Sequence, residues 1–294
     1  SPSVGVTSIS ALFTAPTPGE SVIFASASLP TTATPVYIPL SDYRGTATTT
    51  ETVASCVIAA DCVIDRLYVN LSGAPGTAAS GKKYNITAYL DGVAQTLTTE
   101  ILDTATFNSD LSGAHAITAT AGQLLSFESI ATGTPTARRA NISARVVPTV
   151  PGKSLLFSRS ITALSSSAAR YMDLNGSSSN VATEGNYQNL APTGFDIKEQ
   201  YVKLNTAPGG STNRAFALRV NEATPGTNVE NTVTGAATTA GPSANTVSVT
   251  AGQRLGWMTT PGGGTPADAG TYKVGAVAYI ASVARSSLTL LGVG

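Results

Sequence analysis

The chain has 294 residues with seventeen basic and seventeen acidic side chains, so its formal charge is zero, and only 12% of it is charged, about half the usual share. That balance argues against a nucleic-acid binder, whose affinity comes from clustered Lys and Arg. Hydrophobic residues at 42% without net charge exclude disorder, and one His with two Cys leaves almost nothing for a His/Cys metal site.

Residues 1–20 lack a basic segment followed by an apolar one, so they do not read as a signal peptide. Ser1 is what removal of an initiator Met leaves; a trimmed or processed protein is the alternative. PTPGE at 16–20 breaks any regular structure. Ile9, Leu12 and Phe13 on this arm, with Leu288, Leu290 and Leu291 on the tail, suit extended ends that contact partners, for example by adding a strand to a neighbour's sheet. Floppy ends are the bland alternative.

From residue 21 the chain resembles itself. Ser21-Val22-Ile23-Phe24 returns as Ser154-Leu155-Leu156-Phe157, and Thr50-Glu51 as Thr183-Glu184. Tyr68-Val69-Asn70-Leu71 with Ala74-Pro75-Gly76 returns as Tyr201-Val202-Lys203-Leu204 with Ala207-Pro208-Gly209. Thr120-Ala121-Gly122-Gln123 returns as Thr250-Ala251-Gly252-Gln253, and Gly133-Thr134-Pro135 as Gly264-Thr265-Pro266. Ordered matches with little drift in offset predict an N-terminal arm over 1–20, homologous domains over 21–147 and 154–283, a linker over 148–153 and a tail over 284–294. Two Pro and one Gly make that linker short and stiff.

Cys56 and Cys62 lie close enough to pair across a tight turn; two buried free thiols are the alternative. Tyr84 to Leu90 alternates with period two, Asp91-Gly92 is a hairpin turn, and Val93 to Leu97 returns. Ile117 to Phe127 is a second strand–turn–strand, and Ala140–Val147 and Val274–Ser282 close the two units. The run Val274–Ala284 is about half of the roughly 20 residues a membrane helix needs, so a buried strand is expected and no membrane span. Short strands with frequent turns over units of this length predict an all-β chain of two tandem antiparallel sandwiches of jelly-roll type, with extended terminal arms.

Chemistry is harder to find. Gly76 to Lys83 approaches a phosphate-binding loop, but Lys83 stands where a hydroxyl is needed and a strand follows, so it reads as a hairpin loop. Pro261–Pro266 reads the same way. A Ser or Cys nucleophile would have to use His115, whose counterpart is Asn245, a turn residue. Trp257, the counterpart of Phe127 in the other unit, is expected in the core. Asp61/Asp65 and Asp196/Glu199 read as solvated strand-end charges, although loop carboxylates could make a weak Ca²⁺ site. Asn70, Asn85, Asn141 and Asn175 begin N-x-S/T triplets that matter only in a secretory eukaryote. No catalytic, cofactor-binding or metal residue is assigned, and no cofactor or enzymatic activity is expected.

The runs GKKYNITAYLDGVAQTLTTEI and AITATAGQLLSF, with Thr132-Gly133-Thr134-Pro135, resemble the repeating jelly-roll units of tailed-phage virion proteins, namely capsid decoration (cement) proteins, head fibres and spikes. The resemblance implies a non-enzymatic protein on the outer capsid surface that binds and stabilises major capsid or other virion proteins, as a homo-oligomer with a trimer favoured. The alternative is a fibre, spike or extracellular filament subunit with an adhesive, glycan-binding role.

Overall fold

The computed structural model describes residues 9–40, 47–174, 180–280 and 286–291, with side chains between 15 and 280, Asn186 excepted. β1 (Ile9–Thr14) leads into a first set of strands: β2 (Ser21–Leu29), β3 (Val36–Ile38), β4 (Cys56–Val57), β5 (Cys62–Leu71), β6 (Lys83–Leu90), β7 (Val93–Leu102), β8 (Phe107–Asp110), β9 (Ile117–Ala119), β10 (Leu124–Thr132) and β11 (Arg138–Pro148). A second set follows: β12 (Lys153–Ser160), β13 (Arg170–Met172), β14 (Asn189–Leu190), β15 (Phe195–Leu204), β16 (Asn213–Val220), β17 (Glu230–Thr234), β18 (Thr239–Ala240), β19 (Thr246–Val249), β20 (Arg254–Gly262) and β21 (Tyr272–Tyr279). β22 (Ser286–Leu291) ends the described chain. One helical turn, α1 (Glu51–Ala54), precedes β4.

Each set makes two antiparallel sheets in the same order. The first pairs β2-β11-β5-β8, with β9 also on β5, and β3-β10-β6-β7, with β4 also on β10. The second pairs β12-β21-β15-β18, with β19 on β15, and β13-β20-β16-β17, with β14 on β20. Counting β3–β4 and β8–β9 as one edge each, and likewise β13–β14 and β18–β19, each set has its first, eighth, third and sixth strands in one sheet and its second, seventh, fourth and fifth in the other. This is the jelly-roll arrangement of two Greek keys.

Local sequence explains the strands. β6 buries every second residue, Tyr84, Ile86, Ala88 and Leu90, so one face enters a core and the other does not. Asp91 at φ +48° and Gly92 at φ +79° turn the chain into β7, as a two-residue hairpin requires. In β5 the alternation slips at Arg66, φ +53°, where the pairing with β11 also shifts; in β15 it slips at Glu199, φ +53°, against β21. A left-handed residue absorbs the extra position of each bulge.

The two units also repeat their local hydrogen bonds. Ile58 N donates to Gln123 O and Ala191 N to Gln253 O; Leu124 N donates to Asp91 Oδ1 and Arg254 N to Asn221 Oδ1. At one corresponding pair the chemistry differs. Tyr84 OH donates toward the carbonyls of Pro30 and Thr136, whereas the Arg214 guanidinium binds carbonyls of Leu164, Ser165, Pro266 and Ala267. Both side chains tie the loop after the unit's first strand to the loop before its last.

The terminal strands pair with each other. β1 and β22 form a two-stranded antiparallel ribbon with Ile9 opposite Leu291 and Leu12 opposite Leu288. The ribbon runs beside β14 and β2.

Candidate functional site

The sheet β12-β21-β15-β18 turns one face to its own core and the other to the first sandwich. From that outer face Leu155, Phe157 and Val277 enter the first sandwich's core with Ile58 and Ala59, and Tyr201 and Tyr279 pack against them. Gly275 on β21 permits the approach, because a β-carbon there would lie 2.4 Å from the Val57 carbonyl oxygen. Charges trapped between the sandwiches have partners, as burial demands. Arg159 Nη1 donates to Val53 O at 2.5 Å, Lys273 Nζ to Asn205 Oδ1 at 2.7 Å, and Lys153 pairs with Glu199 at 2.7 Å. Lys273 is fully buried, and loss of solvent pushes its ammonium down to about 8.

The matching sheet of the first sandwich, β2-β11-β5-β8, leaves its outer face open. Pairing defines the correspondence: Phe24 and Tyr68 flank Ser143 as Phe157 and Tyr201 flank Gly275. Phe157 is 4% exposed, but Phe24 is 49% exposed. Phe107 is also exposed and stacks on Tyr68 with ring centroids 6.3 Å apart. The three exposed aromatic side chains share the outer face of one sheet. Sequence reasoning missed it, although a signal was present: Phe24 is out of phase with Ile23, Ala25 and Ala27, the buried positions of its strand.

The structure decides between the two readings of the cysteines. Cys56 and Cys62 are both buried and not joined in a disulfide, and the Cys56 thiol donates to Leu40 O. Cys56 lies opposite Leu125 in one sheet, and Cys62 opposite Ala119 and Pro148 in the other, so residues 58–61 carry the chain across the sandwich and not around a tight turn. Burial, with the Asp61 charge adding to it, pushes the Cys62 thiol up to about 12. A thiol reagent should therefore react with the folded protein only slowly and with both cysteines after denaturation, since the thiolate is the reactive form. Fast labelling of native protein would contradict this burial.

The carboxylates also differ from expectation. Asp65 is no strand-end charge: it lies within β5 and takes two hydrogen bonds from Arg145, at 2.7 and 2.5 Å. Glu199 is held by Lys153 between the sandwiches. Asp61 accepts from the Ala121 amide and Asp196 from the Ser248 hydroxyl. Among the described residues no three His, Cys, Asp or Glu side chains gather as a metal site would need, and no helix is long and apolar enough to cross a membrane.

The other candidates disperse. His115 ends a 3₁₀ turn with Nδ1 2.8 Å from Asp110 Oδ2, and its counterpart Asn245 donates to Asn228 O. Trp257 and Phe127 are core residues. Gly76 to Lys82 is not a hairpin loop: it carries the chain from β5 in one sheet to β6 in the other, anchored by Ser80 Oγ and Lys82 N on Asp103. Asn70, Asn85 and Asn141 sit on strands, while Asn175 lies outside the described residues. So do the side chains of Ile9, Leu12, Phe13, Leu288, Leu290 and Leu291, whose backbones form the ribbon.

One buried acid sets a pH dependence. Asp173 is almost fully enclosed, and burial pushes its carboxyl up to about 7. Its proton is therefore held more tightly in the folded chain. That stability is fully present below the ordinary value of 3.8 and is lost as pH rises through 7. At about 1.4 kcal/mol per tenfold change in proton affinity, the loss is on the order of 4 kcal/mol. Asp173→Asn should flatten the melting temperature between pH 4 and 7 and stabilise the protein at pH 8; an unchanged profile would refute the assignment.

No family model and no curated protein matches this chain. Among solved structures, the major capsid protein P2 from bacteriophage PM2 aligns over 90% of this chain and 99% of its own, at 11% identity and a TM-score of 0.27. A likeness at that score bears no weight; the jelly-roll assignment rests on the strand order.

Proposed function

We propose that this chain is a non-enzymatic structural protein of a virion, seated on the outer shell, where it binds and stabilises neighbouring capsid proteins. The observation that carries the reading is the joining of two jelly rolls through a buried, glycine-fitted contact into one block. Jelly rolls serve as shell modules because two packed sheets leave few exposed edges for unwanted strand pairing. The balanced charge fits contact by shape, since no single-sign field is present to draw a polyanion.

The test is to locate the chain in purified particles whose genome encodes it. Electron microscopy with a labelled antibody should place it on the shell, in stoichiometric amounts by quantitative mass spectrometry. Its removal should lower the temperature at which shells open. Complete particles that lack the chain would overturn the reading. The exposed aromatic face of Phe24, Tyr68 and Phe107 favours a second one, an adhesive fibre or filament subunit, which predicts label on appendages instead.

A further inference from the structure

We propose that copies of this chain associate head to tail, the β14 end of the second sandwich of one copy seating on the open β2-β11-β5-β8 face of the next. The chain already contains one contact of this kind. In it, the β4 end of the first sandwich rests on the outer face of β12-β21-β15-β18, with the Val57 carbonyl over Gly275 and Gly122 against the ring of Tyr201.

Both halves of a second such contact are left open. On the face side, Val22, Phe24 and Tyr68 hold the positions that Leu155, Phe157 and Tyr201 hold in the buried contact, by strand register. On the end side, Leu190 pairs with Arg254 on β20 as Val57 pairs with Leu124 on β10. Val57 is 2% exposed; Leu190, even with the terminal ribbon beside it, is 44% exposed. Gly252, the counterpart of Gly122, has open space around it. An end with an exposed Leu and a face with exposed aromatic rings are complementary.

The second contact is shallower than the first. Ser143 stands where Gly275 stands, and the Arg145–Asp65 ion pair replaces Val277 and Lys198. The incoming end therefore rests on the rings and does not sink to the backbone of β11. This suits a reversible contact between chains. The two patches differ, so the contact is heterologous and either closes a ring or extends a filament.

The experiment uses the purified full chain and does not depend on a particle. Sedimentation velocity is run from about 1 µM to about 1 mM, the range of ordinary reversible contacts, on wild type, Phe24→Arg and Leu190→Glu. Wild type should grow in mass with concentration, whereas each variant should stay monomeric with unchanged thermal unfolding. An equimolar mixture of the two variants should give dimers and nothing larger, because each retains one intact half. Wild type that stays monomeric throughout, either variant associating like wild type, or a mixture that forms no dimer would each overturn the proposal. A positive result with particles that lack the chain would separate this contact from the virion reading.

Discussion

Replacing Arg214 with Ala should destabilise the second sandwich by about 3–5 kcal/mol, the scale of a broken buried network. The side chain is 1% exposed, and its guanidinium spans Ser165 O at 2.8 Å and Ala267 O at 2.9 Å, with longer bonds to Leu164 and Pro266. Without it those buried and part-buried carbonyls lose their donor, and an orphaned buried group costs about 1–3 kcal/mol. Arg214→Lys should recover little, because a single ammonium cannot match a planar fork of five donors. Tyr84→Phe, at the corresponding position, should cost about 1–2 kcal/mol, since only one hydroxyl is lost. Calorimetry checks the series; an Arg214→Ala protein that melts with the wild type would show that the two loops do not need the bridge.

Gly275→Val should part the two sandwiches at a cost of about 2–3 kcal/mol, the range for overpacking a tight contact. The added β-carbon would meet Val57 O at 2.4 Å and Val57 Cγ1 at 3.0 Å. The first of these is strand backbone and cannot swing away. Two separable calorimetric transitions are expected where the wild type shows one, together with faster proteolysis in residues 148–152. Gly252→Ala is the control. It adds a β-carbon in open space at φ +83°, so only a backbone cost of about 1 kcal/mol is expected. Equal effects from the two variants would mean that close approach at Gly275 is not what joins the domains.

Much of the fold was legible because it is local. Period-two alternation in Tyr84 to Leu90 and the Asp91-Gly92 turn depend only on neighbours a few residues apart. The core role of Trp257 and Phe127 followed from an apolar partner on the same strand. The candidate sites were less legible because their partners are distant. Asp65 lies eighty positions from Arg145, and no spacing rule joins them. Cys56 and Cys62 are close in sequence yet belong to opposite sheets. Phe24 and Phe157 occupy matching places in matching strands; the phase of its strand puts Phe24 on the outer face, but which outer face is covered depends on the other sandwich.

The amino-acid sequence alone therefore determined the strand content, the hairpin turns and the pairing of like segments between the two units, since these follow from propensity and periodicity along the chain. Only the tertiary structure decided which sheet face is buried, which thiols and carboxylates meet and which aromatic rings stay outside. Those outcomes depend on how one sandwich docks on the other. That docking includes the close approach at Gly275 and the entry of Leu155, Phe157 and Val277 into the first core, contacts between residues far apart in the chain.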